Sequence, residues 1–81
     1  MQYELELVER ELKIRAYSRK TCSAYLYGLK RYFLFKASGL STLDIGNVKQ
    51  FLLSCANKNI SPQTRNLFLN AIKFFYIHVL K

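Results

Sequence analysis

The sequence predicts an all-α protein, a compact four-helix bundle, and three observations carry that expectation. Apolar residues recur three and four positions apart through four separate segments. The breaks between segments hold helix-capping residues: Ser18, Asp44, and Ser61 followed by Pro62. No stretch alternates apolar and polar residues for long enough to make a useful β-strand. Hydrophobic residues make up 51% of the chain, and six Tyr and six Phe bury large areas each. That density offsets the poor surface-to-volume ratio of 81 residues. Gly and Pro are scarce and no repeat or low-complexity run appears, so residues 1–81 read as one globular unit.

The first helix is expected from Tyr3 to Arg15, with Leu5, Val8 and Leu12 as its core stripe. Glu4, Glu6, Glu9 and Glu11 crowd its start, where the helix dipole favours negative charge. Ser18 caps a second helix, Arg19 to Lys36, whose apolar arc is Cys22, Tyr25, Leu26, Leu29 and Phe33. Ala37-Ser38-Gly39 ends it, with Gly39 suited to the left-handed position. Asp44 caps a third helix, Ile45 to Asn57, with Val48, Phe51, Leu52 and Cys55 facing inward. The pattern breaks around Asn57 and Asn59. Ser61 as N-cap with Pro62 at the first helical position opens a fourth helix running to about Leu80. Phe68, Leu69, Ile72, Phe75, Tyr76 and Val79 form its apolar face, beside a polar stripe of Gln63, Asn66, Asn70 and Lys73. Tyr25, Leu29, Phe33, Phe51, Leu52, Leu69, Ile72 and Phe75 are the expected centre of the core. Short connections favour assembly as a bundle.

Charge narrows the function. The net charge is +8, yet four of the five acids precede Leu12. From Leu12 onward a single acid, Asp44, faces twelve Lys and Arg. A field of one sign this strong favours a polyanion, such as nucleic acid or an anionic membrane surface. No apolar run approaches a membrane span, the longest being stretches such as Phe74 to Ile77, so no membrane partner is expected. The polar start lacks the features of a signal peptide, and two cysteines make no disulfide framework. Cys22 and Cys55 are expected as buried thiols in a cytoplasmic protein.

Catalytic and metal chemistry find no foothold. His78, Cys22 and Cys55 lack ligand spacing, and no cofactor is implied. There is no Gly-rich phosphate loop, nucleophile elbow or convergent acid pair. What remains is two helices with basic and amide-bearing faces. The second presents Lys20, Lys30 and Arg31, with Thr21, Ser23 and Tyr27 interleaved. The fourth presents Gln63, Thr64, Arg65, Asn66 and Asn70 in its first half, then Lys73. Lys and Arg neutralise phosphates, whereas Asn, Gln and Arg also match the hydrogen-bonding edges of bases in a major groove. Either stripe alone is an ordinary solvated face. Both together, with the charge asymmetry, point to duplex DNA.

Three stretches are similar to the N-terminal core-binding, SAM-like domain of tyrosine recombinases of the phage-integrase and Xer type. They are Tyr17 to Tyr25, Leu43 to Leu52, and Ile60 to Thr64 followed by Leu69 to Tyr76. The resemblance implies a bundle that grips one face of double-stranded DNA while a catalytic domain elsewhere in the parent chain closes on the other. It implies that the second and fourth helices lie in or across the major groove, and that other recombinase protomers share the DNA. The family's catalytic tyrosine and its His-x-x-Arg have no counterpart in this sequence. Many members carry two basic residues where this chain has Leu67 and Phe68, and glycine is frequent where it has Ala16. Leu67, Phe74 and Ile77 widen the apolar arc of the fourth helix, for cover by the first helix or by a neighbouring subunit. The competing readings are a helical protein-interaction module and a helix-turn-helix regulator; the long fourth helix disfavours the latter.

Overall fold

The protein, described over residues 2–80 by a computed structural model, folds into α1 (Gln2–Ile14), α2 (Arg19–Lys36), α3 (Ile45–Asn57) and α4 (Pro62–Phe74). A wider π-helical turn, Phe75–Leu80, extends α4. No strand occurs among the described residues. The three helix starts form as the capping residues require. Ser18 Oγ accepts the Thr21 N–H at 3.2 Å, Asp44 Oδ1 the Asn47 N–H at 3.1 Å, and Ser61 Oγ the Thr64 N–H at 3.2 Å. Each satisfies a donor that has no partner inside its own helix.

The exits depart more from expectation. α1 closes through two backbone bonds, Tyr17 N–H to Leu12 O and Ala16 N–H to Lys13 O, both 3.0 Å. That is a Schellman closure, and it places Ala16 in the left-handed position at φ 60°. The same closure ends α3, where Ile60 N–H reaches Cys55 O and Asn59 takes φ 63°. Asn adopts that backbone more readily than Ala, whose Cβ crowds the following carbonyl. Replacing Ala16 by Gly is therefore expected to stabilise the protein by about 1 kcal/mol. An unchanged or lowered urea midpoint would count against the closure. α2 ends on Ala37 and not on Gly39: Ala37 has φ 70°, and Ser38 N–H bonds Lys36 O at 2.8 Å in a tight γ-turn. Gly39, also at positive φ, begins the next turn, where Thr42 N–H bonds its carbonyl.

The core joins all four helices. Val8 and Leu12 of α1, Leu29 and Phe33 of α2, Phe51 and Cys55 of α3, and Phe68, Ile72 and Phe75 are buried. Tyr25, Leu52 and Leu69, expected at the centre, are half-buried at its margin. The buried arc of α2 is instead displaced to take in Gly28 and Tyr32. Tyr32 can sit there because its hydroxyl donates to Asn47 Oδ1 at 2.8 Å. Burial, and secondly the negative charge of Asp44, raise its pKa. Gly28 is where α2 and α4 come closest: a Cβ built on it would lie 2.6 Å from Cδ1 of Phe68. Phe74 is buried between the turn after α1 and α2, its ring meeting Tyr17 of that turn at 5.5 Å and Tyr25 of α2 at 5.9 Å. Leu67 is half-buried, and Ile77 stays 60% exposed.

The fourth helix does not continue regularly to Leu80 as the periodicity predicts. After Phe74 the winding loosens, and the π-helical turn packs against α1. From this turn Tyr76 donates its hydroxyl to Leu40 O at 2.8 Å, clasping the α2–α3 loop. Burial pushes the Tyr76 phenol up to about 12, so it remains a neutral donor.

Candidate nucleic-acid interface

The expected basic face of α2 is present as a surface. Lys20, Ser23, Tyr27 and Lys30 are exposed and Arg31 is partly so. Lys13 and Arg15 are ion-paired with Glu9 at 3.5 Å and Glu11 at 2.9 Å, one helical turn apart. Lys20, Lys30 and Arg31 form no ion pair among the described residues.

Arg31 has the most defined setting. Its Nη1 donates to the Tyr27 hydroxyl at 3.0 Å, and its guanidinium lies 5.7 Å from the Tyr27 ring centroid and 5.9 Å from that of Phe68. The two rings are 6.0 Å apart. Aromatic faces attract the cation and restrict its side chain without cancelling its charge. The remaining N–H groups are thus held at the surface of the α2–α4 seam. The helix periodicity places Tyr27 and Arg31 one turn apart, but it gave no sign that Phe68 would serve as the shelf beneath them. Phe35, the next residue on that ridge, is 41% exposed and was likewise missed.

On α4 the structure divides the expected residues. Gln63, Asn66, Asn70 and Lys73 form an exposed stripe. At roughly 100° per residue they lie on the side of α4 away from Phe68, which faces Gly28 of α2. They make no side-chain hydrogen bond among the described residues. Gln63, Arg65 and Asn66 share a shallow groove of about 440 Å³ with Leu52, Pro62 and Leu69. The α4 stripe therefore faces away from the α2–α4 seam that carries Arg31.

Three expected residues have local structural work. Thr21 Oγ1 accepts a hydrogen bond from Ser18 Oγ at 2.9 Å, and Thr64 Oγ1 one from Ser61 Oγ at 3.0 Å, reinforcing two caps. Arg65 donates Nε–H to Ile60 O at 3.2 Å, closing the α3–α4 turn. Two of its nitrogens are still free to meet an anion. His78, in the π-helical turn, meets the Phe74 ring at 5.1 Å with the two planes tilted by 55°. Among the described residues no three His, Cys, Asp or Glu side chains converge, and no helix is long and apolar enough to cross a membrane.

Comparison with known proteins gave no match among the curated proteins or the solved structures. A family match, in contrast, covers residues 5–81, nearly the whole chain, and its members are described as the N-terminal SAM-like domain of phage integrases. That family is all-α and compact, as this bundle is. The chain belongs to the phage integrase N-terminal SAM-like domain family.

Proposed function

We propose that this chain is the duplex-DNA-binding, core-binding unit of a site-specific tyrosine recombinase, acting in the cytoplasm on DNA integration or a related recombination. Strand cleavage and rejoining belong to a catalytic domain of the parent chain, and further protomers assemble on the same DNA. The observation that carries the reading is Arg31, held over Tyr27 and Phe68 with its charge uncompensated, beside Lys20 and Lys30. Family membership supports it, because an integrase acts on DNA. In this reading the α2 face neutralises phosphates. The α4 stripe presents Asn66 and Asn70 to base edges, with Gln63, Arg65 and Lys73 alongside.

The test is a salt titration of duplex binding. Phosphate contacts release counterions, so log Kd against log salt should have a slope magnitude of about 0.9 per phosphate. Arg31→Ala is expected to weaken binding to every sequence and flatten the slope by about one unit. Asn66→Ala or Asn70→Ala is expected to leave the slope unchanged and cost roughly 1–3 kcal/mol on the proper site alone. Lys13→Ala, whose ammonium is paired with Glu9, should have little effect. Equal slopes for Lys13→Ala and Arg31→Ala would reduce the charge to a diffuse cloud and sink the docking face.

A further inference from the structure

A second groove, of about 360 Å³, runs between α2 and α3. Arg31, Leu34 and Phe35 line it from α2, and Phe51, Ser54 and Lys58 from α3 and its end. Its chemistry is unlike that of an ordinary core margin. Two cations flank a floor that is largely apolar, with Leu34 63% and Phe35 41% exposed. Lys58 is exposed and, like Arg31, has no ion-pair partner among the described residues. The acids lie elsewhere. Asp44 caps the opposite end of α3, roughly 20 Å away along a helix of this length. The glutamates are on α1, which packs on α2 and the π-helical turn but not on α3.

We infer that this groove seats one stretch of DNA backbone, with Arg31 and Lys58 on successive phosphates and the intervening deoxyribose on Leu34 and Phe35. The inference rests on the DNA reading above and adds to it a site that charge along α2 alone does not reveal. A sugar-phosphate strand alternates anionic groups with a less polar ring, and the groove's lining supplies both chemistries: Arg31 and Lys58 for the anions, Leu34 and Phe35 for the ring. The groove is also continuous with the proposed face, because Arg31 belongs to both.

The experiment measures binding of a fluorescent duplex by anisotropy across a salt series, using the whole chain. Lys58→Ala is expected to flatten the log–log slope by about one unit, and Arg31→Ala with Lys58→Ala by about two. Leu34→Ser, at an exposed position, should weaken binding several-fold at every salt concentration with the slope unchanged. Lys49→Ala is the comparison, because Lys49 lies on the side of α3 opposite Lys58 at roughly 100° per residue. Circular dichroism melts establish that each variant is folded. Lys58→Ala matching Lys49→Ala, while Arg31→Ala keeps its effect, would overturn the groove and leave the α2 face standing. Loss of the Arg31→Ala effect as well would remove the DNA reading itself.

Discussion

Replacing Phe75 by Ala is expected to cost about 3–5 kcal/mol, the range for truncating a buried Phe. Phe75 is fully buried where α4 passes into the π-helical turn. Its ring meets Phe33 edge-on at 5.0 Å and Tyr76 at 4.9 Å, and aromatic pairs of this geometry add to the burial term. The surroundings have little freedom to fill the void, because Phe33 is itself buried on α2 and Tyr76 is tied through its hydroxyl to Leu40 O. Small domains have about 5–15 kcal/mol in total, so the variant is expected to sit near its unfolding midpoint at room temperature. Urea denaturation checks this, with Lys49→Ala as an exposed comparison. A midpoint shift no larger than that of Lys49→Ala would mean the aromatic core is not organised as described.

Gly28→Val is expected to cost about 3 kcal/mol, although intrinsic helix propensity favours almost any residue over Gly by up to about 1 kcal/mol. The steric effect wins because of what the new carbon meets. A Cβ at position 28 would lie 2.6 Å from Phe68 Cδ1, well inside contact distance. Phe68 cannot retreat freely: its ring is buried and neighboured by Phe51 at 6.1 Å, Tyr27 at 6.0 Å and the Arg31 guanidinium at 5.9 Å. A second substitution separates sterics from other effects. Phe68→Leu is expected to destabilise the parent protein but to recover part of the loss in the Gly28→Val background. Additive losses in thermal or urea melts would show that the two positions are not in contact. The same displacement should disturb the perch of Arg31, so Gly28→Ala ought to weaken DNA binding more than its effect on stability explains.

The starts of α2, α3 and α4 were legible in the sequence because Ser18, Asp44 and Ser61-Pro62 are capping signals of strictly local origin. The exits were less so. Ala16 and Ala37 adopt positive φ without being Gly, held there by the backbone bonds that close α1 and α2, which leave no mark in the residue type. Tyr32 was missed because a phenol at the edge of an apolar arc is costly to bury until Asn47, fifteen residues away, accepts its hydrogen bond. Gly28 was missed for the opposite reason: a missing side chain leaves no periodic mark, yet it decides how closely two helices approach. Phe74 reads in the sequence as surplus apolar surface; its cover is Tyr17 of the turn after α1 and Tyr25 of α2, with the Arg15 guanidinium 6.0 Å from its ring. At the candidate interface, the identities of the cations were readable. The aromatic shelf under Arg31 and the groove shared with Lys58 arise from α2 meeting α4 and α3, which no single helix encodes.

The Tyr76 clasp bears on how the chain reaches this arrangement. Its partner, Leu40, is 36 residues away, whereas the side-chain capping and ion-pair bonds join residues three or four apart. Local bonds close short loops at small entropic cost; a clasp of this span is rewarded only after α3 and α4 have formed and docked. The Tyr76–Leu40 bond is therefore expected to form after the folding barrier, so Tyr76→Phe should speed unfolding in stopped-flow urea jumps and leave the folding rate nearly unchanged. Interactions formed there act on the rate of opening and leave the rate of folding nearly untouched. The clasp thus functions as a latch on lifetime: it lengthens the time the α2–α3 loop stays closed over the core without hastening its assembly.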